Sequence, residues 1–125
     1  MRAHPIALGV SLLAATLPVA AHHSYAMFDQ TRQVTVQGTV KEVQWTNPHC
    51  FLQVLVSSHG TMSEWSIEML SPLAMYRAGW RPASFQSGDK ITLVINPLKN
   101  GGYGGYIVSA TDAHGRVLSS KRVHP

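Results

Sequence analysis

RQVTVQGTVKEVQW, residues 32–45, decides the fold. Val34, Val36 and Val40 alternate along one face, the phase flips at Lys41-Glu42, and Val43 and Trp45 resume it. A phase flip close to a mid-strand glycine, Gly38, predicts a bulge or bend in one long curved strand. Asn47-Pro48-His49 then ends it, because proline cannot continue a central ladder and asparagine favours turns.

Working outward, CFLQVLVSS (50–58) is the next strand, with Leu52, Val54 and Val56 on one side, Phe51 and Leu55 on the other, and both faces expected to be covered. After a turn at His59-Gly60, SEWSIEM alternates with Trp65, Ile67 and Met69 inward and Glu64, Ser66 and Glu68 outward. The period changes at SPLAMYRAGW (71–80). Ser71 is a natural N-cap, Pro72 suits the first helical position, Gly79 can end the helix, and Leu73, Tyr76 and Trp80 are expected to share a face. Gly88-Asp89 turns into KITLVINP, and the glycine-rich LKNGGYGG, read as a flexible hairpin loop, leads to a fifth strand, YIVSATDA.

The order β-β-β-α-β-β predicts a mainly β fold, a small five-stranded OB-like Greek-key barrel with one short helix between strands 3 and 4. Binding sites in such barrels favour one strand face and the first and fourth connecting loops. Here the first and fourth strands both end in Asn-Pro, at Asn47-Pro48 and Asn96-Pro97, and the two loops are expected to meet at one end of the barrel.

The 125 residues carry a formal charge of +4 with histidine neutral. Lys and Arg are scattered, with only Lys121-Arg122 adjacent, so no nucleic-acid partner is expected. A single cysteine, Cys50, excludes an internal disulfide. At the amino terminus, Arg2, the apolar run Ile6 to Val19 and Val19-Ala20-Ala21 have the form of a cleavable secretory signal. It is too short and too quickly followed by His22, His23 and Ser24 for a membrane span. The expected organisation is a signal peptide over 1–21, an amino-terminal arm over 22–31 and a single barrel domain over 32–125, in the periplasm or secreted.

HHSYAMFD, GTVKEVQWTNPH, EWSIEM with SPLAMYRAGW, and GDKITLVINPLKNG with GGYIVSATDAHGRVL together resemble a family of small exported bacterial proteins, domain of unknown function 6152. The likeness covers nearly all of the chain after the signal and implies an exported single-domain protein, with no activity attached.

Cleavage after Ala21 would make His22 amino-terminal, so that its α-amine and imidazole could chelate one metal ion. An α-amine with a pKa of about 7.7 to 8 and an imidazole near 6.5 release their protons to a metal readily at neutral pH. Such nitrogen donors favour copper, then zinc or nickel. His23 or His49 would be the further ligand, ahead of His59 and His114, and Glu68 or Glu64 an oxygen donor. The bland alternative is a frayed arm, against which Tyr25, Met27 and Phe28 are apolar enough to dock it.

His49 follows a proline in a turn and either caps a backbone group or meets a ligand. Cys50 reads as a small core hydrophobe. Trp45 is the tryptophan placed to stack on a flat ligand at the barrel mouth. Glu64 and Glu68 stand about 13 Å apart along one strand, too far for a paired-carboxylate hydrolase. No GxSxG elbow, phosphate-binding loop or dinucleotide fingerprint is present. Two functions follow as expectations. The first is a non-enzymatic periplasmic protein holding copper, or zinc, through His22, His23, His49 and Glu68. The second is a module binding a small organic ligand, glycan or envelope protein through Trp45, Asn47, His49 and Asn96.

Overall fold

The computed structural model describes residues 25–121. In chain order these form β1 (Val34–Gln44), β2 (Phe51–Ser58), β3 (Thr61–Glu68), α1 (Pro72–Arg77), β4 (Lys90–Pro97), β5 (Gly104–Asp112) and β6 (Val117–Ser119). The strands lie in the order β3-β2-β1-β4-β5-β6, with a further pairing of β3 to β5 that closes the first five into a barrel. This closing pair is parallel, Ser66↔Gly104 to Glu68↔Tyr106, whereas the other pairs are antiparallel. The expected five-stranded OB-type barrel, with one helix between β3 and β4, is the fold observed.

β1 serves both halves of the barrel. Its first half pairs with β4, from Val34↔Ile95 to Thr39↔Lys90, and its second half with β2, from Thr39↔Leu55 onward. The register slips between Val40↔Val54 and Glu42↔Gln53, leaving Lys41 as the extra residue where the hydrophobic phase flips. Gly38 lies just before the slip, and a Cβ there would stand 2.5 Å from the Leu55 carbonyl oxygen and 2.6 Å from a Val54 methyl. Only glycine lets β1 press this closely on β2 while it curves. The inward side chains, among them Val40, Leu52, Val54, Ile67, Leu93 and Ile95, are 0–1% exposed. Each such burial stabilises the fold by roughly 1.5–3 kcal/mol over exposure.

At His59-Gly60 both φ angles are positive, 49° and 78°, the signature of a two-residue hairpin between Ser58 and Thr61. Ser71 caps α1, its Oγ accepting from the Ala74 N–H at 3.3 Å.

Several expectations are corrected. The buried helical residue is Met75, while Leu73 and Tyr76 are 58% and 55% exposed. α1 stops at Arg77 and Gly79 turns left-handed at φ 95°, so helical spacing does not extend to Trp80, which enters the core beside Phe85. Phe51 and Leu55 are only half-buried, because no second layer among the described residues covers the outer face of β2. The glycine run is not a slack hairpin. Gly104 and Gly105 already belong to β5, and a Cβ on either would stand 2.6 Å from a backbone oxygen, of Ser66 in β3 and of Asn96 in β4. β6 is a short sixth strand beyond the five expected. It pairs with Ser109–Thr111 of β5, and its Ser119 carbonyl accepts from the Trp80 indole at 2.9 Å. Among the described residues no helix is long and apolar enough to cross a membrane.

Candidate functional site

The loop after β1 is tied down at both ends. Thr46 Oγ1 donates to the His49 carbonyl at 2.8 Å, and Cys50 exchanges backbone bonds with the segment after β3, its N–H to Leu70 O and its carbonyl from Met69 N–H, both at 2.9 Å. Phe51 then registers opposite Glu68. This locks His49 beside the end of β3, where its Nδ1 lies 2.6 Å from Glu68 Oε1. The imidazole is 29% exposed and the carboxylate 13%. With Nδ1 engaged, Nε2 is the ring nitrogen that makes no hydrogen bond among the described residues.

From Glu68 a row of paired residues runs around the barrel. Phe51 of β2 stands opposite Glu68, Glu68 opposite Tyr106 of β5, and Tyr106 opposite Asn96 of β4. Burial holds the Tyr106 phenol far above its ordinary pKa, with the Tyr25 hydrogen bond and the negative charge of Glu68 adding to the shift. Its hydroxyl lies 3.1 Å from that of Tyr25, and the rings of Tyr25 and Phe28 pack on its own at 5.0 and 5.5 Å.

The amino-terminal arm is docked where it is described. Phe28 is 4% exposed and bridges to Leu98, Asp29 N–H donates to Pro97 O at 2.8 Å, and Lys99 N–H donates to Met27 O at 2.9 Å. Asp29 turns its carboxylate onto the Thr31 hydroxyl and N–H, which hold its pKa below the usual carboxylate value. Of the three residues expected to dock the arm, Phe28 does so by burial and Tyr25 through its hydroxyl and ring. Met27 stays half-exposed and contributes only its carbonyl.

His49 and Glu68, expected as separate metal ligands, are thus in direct contact. His22 and His23 lie outside the described residues, and among the described residues no three His, Cys, Asp or Glu side chains converge as a metal site. His59 and His114 occupy turns, and Glu64 pairs with Lys41 at 2.7 Å on the outer face. Cys50 is fully buried, and burial pushes its thiol pKa up, in keeping with a core hydrophobe.

The organic-ligand set is more dispersed. Trp45 packs partly buried against the core, Asn47 is exposed, and Asn96 spends its amide on the Arg32 carbonyl at 2.7 Å. The two Asn-Pro loops do not meet as the ends of neighbouring strands, because β1 and β4 are antiparallel and the end of β4 pairs with the start of β1. They are linked instead through the row across β2, β3 and β5. Sequence reasoning missed Tyr106, whose place opposite Glu68 depends on a parallel pairing that periodicity does not encode.

No curated protein and no solved structure matches the chain. The Family of unknown function (DUF6152) matches residues 10–107, well over half of the sequence, and the protein belongs to that family.

Proposed function

We propose that the protein is an exported, non-enzymatic metal carrier, cleaved after Ala21, in which the new amino-terminal His22 joins His49 in holding one copper ion. The observation that carries this reading is the His49–Glu68 pair. A histidine that binds metal through one ring nitrogen commonly gives the other to a carboxylate, which fixes its tautomer and orientation and raises its basicity. Glu68 at 2.6 Å from Nδ1 is so placed. Glu68 is then an orienting group rather than a ligand.

The docked arm supports the same reading. Tyr25, the first described residue, is bonded to Tyr106, the register neighbour of Glu68. His22 precedes Tyr25 by three residues, a span of at most about 10 Å when extended, so under this reading the tethering of Tyr25 to Tyr106 keeps the mature terminus on the side of the barrel that carries Glu68. An α-amine and two imidazoles form a nitrogen donor set that favours Cu(II), with Zn(II) following. His23 is the alternative third donor.

The test begins with the intact mass of protein recovered from the periplasm, followed by calorimetric titration of that material with Cu(II). A chain starting at His22 should bind one copper tightly. His22→Ala, His49→Ala and addition of one residue before His22 should each weaken binding by two orders of magnitude or more, with unchanged circular dichroism. Equal affinity in all three variants would refute the site.

A further inference from the structure

A second arrangement lies at the end of the barrel where β1 begins and β4 passes into β5. Two adjoining grooves, of about 440 and 320 Å³, share Thr35, Val36 and Trp65. Trp65 comes from β3, and its indole N–H is fixed on Ser63 Oγ at 3.0 Å. The Tyr103 ring stands 5.6 Å away, inclined at 37°. Tyr103 is 63% exposed, and its hydroxyl makes no hydrogen bond among the described residues.

The Tyr103 ring packs on Trp65 from the solvent side, and its backbone is held firmly. The Tyr103 carbonyl accepts from Ser66 N–H at 3.2 Å, and neighbouring Gly104 is pressed to within 2.6 Å of Ser66 O, counted from where a Cβ would stand. The ring is therefore presented beside Trp65 by β3 itself, as a preorganised aromatic surface.

The charge beside this surface is positive. Arg32 and Lys99 line the smaller groove, and neither forms an ion pair among the described residues. The Asp29 carboxylate, hydrogen-bonded to Thr31, feels both cations and offsets one of their two charges, so the groove keeps a net positive charge, and Glu64 projects from the other face of β3 to Lys41. Thr35, Gln37, Ser57 and Ser58 add hydroxyl and amide groups along the larger groove.

We propose that this surface binds an acidic saccharide, with one sugar ring laid against Trp65 and Tyr103 and its carboxylate directed to Arg32 and Lys99. The two rings touch at an incline, so they leave no slot for sandwiching a flat base, while the exposed Tyr103 side chain and the edge of Trp65 form one surface for the C–H side of a pyranose. The hydroxyl-bearing groove continues in the direction a second sugar would take. A carboxylate held between two cations gains charge-assisted hydrogen bonds that a neutral sugar lacks.

The site is independent of His49 and of the amino terminus, and so is its test. The ¹⁵N-labelled mature chain is titrated with a galacturonate trisaccharide, with maltotriose as the neutral sugar and a mononucleotide as the stacking control. The expected result is saturable movement of the Trp65 indole and Gly101 and Gly102 amide signals with the acidic sugar, at least tenfold weaker for maltotriose. Tyr103→Ala should weaken binding at least tenfold. The double variant Arg32→Gln, Lys99→Gln should bind the two sugars alike, and His49→Ala should leave acidic-sugar binding unchanged. Tyr103, Arg32 and Lys99 are all exposed, so these variants keep the fold. Absence of movement at Trp65, equal binding of maltotriose by the unaltered chain, or tighter binding of the nucleotide would each overturn the proposal.

Discussion

At the scale of single residues the His49–Glu68 contact makes a sharp prediction. If Glu68 orients the imidazole rather than touching the metal, Glu68→Gln keeps a side chain of the same size and weakens copper binding by roughly 10–100-fold, the range seen when a supporting carboxylate is removed. His49→Ala costs more than that. Calorimetry on the two variants ranks them, and a Glu68→Gln loss equal to that of His49→Ala would make Glu68 a ligand. Both residues stand out as candidates in the sequence, His49 from its place after a proline and Glu68 from its polar face. Their contact was not legible there, because it depends on Phe51 registering opposite Glu68, and a hydrophobic pattern shows which way a residue faces without showing its neighbour. Tyr106 illustrates the same limit. It reads as one more apolar strand residue, and only the parallel closure sets it beside Glu68.

At the scale of elements the arm and the helix show where local signals succeed and where they stop. Phe28 is the buried anchor of the arm, and Phe28→Ala should release the segment while the barrel persists. The expected result in hydrogen exchange is faster loss of protection at the Asp29 and Lys99 amides, which bond to Pro97 and Met27, with the β1–β2 ladder unchanged. Uniformly faster exchange throughout would instead make the arm an integral part of the barrel. Under the proposed function, the same variant also weakens copper binding, since it removes the tether that keeps the terminus near His49. The start of α1 was legible because Ser71 and Pro72 act locally on the backbone. Its buried face was not, because a helix of six residues is too short for periodicity to choose between Met75 and the pair Leu73 and Tyr76.

At the scale of the whole molecule, stability should fall on both sides of neutrality for different reasons. Asp29 is held low by the Thr31 side chain and N–H, and Asp112 chiefly by the Arg116 N–H, then by His114 and the Arg116 guanidinium. A depressed carboxylate contributes stability that is complete above its unfolded value of 3.8 and disappears as the pH falls through the folded one. Tyr106 works in the opposite sense. Its phenol, raised by burial above the ordinary 10.0, contributes fully below that pH, and the contribution disappears as the pH rises toward the folded value. Urea midpoints measured across pH should therefore drop below about pH 4 and above about pH 10. Asp112→Asn should flatten the acid side and Tyr106→Phe the alkaline side. An alkaline fall unaltered by Tyr106→Phe would show that the phenol does not govern it. The barrel as a whole was readable because strand alternation is interrupted by one helical stretch in one place. The path by which it closes was not, since Gly104 and Gly105 look like loop residues until β3 and β4 are seen pressing on them.

The short final strand has one further consequence. β5 meets β3 only over Gly104–Tyr106, so closure alone would leave the rest of that flank as a row of unpaired backbone donors and acceptors. β6 takes Ser109–Thr111, and Ser120 adds both its N–H and its hydroxyl to Val108 O. A bare flank of this kind is a template on which another chain can build a sheet. By folding its own tail across it, the protein occupies the position that a neighbouring molecule would otherwise use to begin an aggregate.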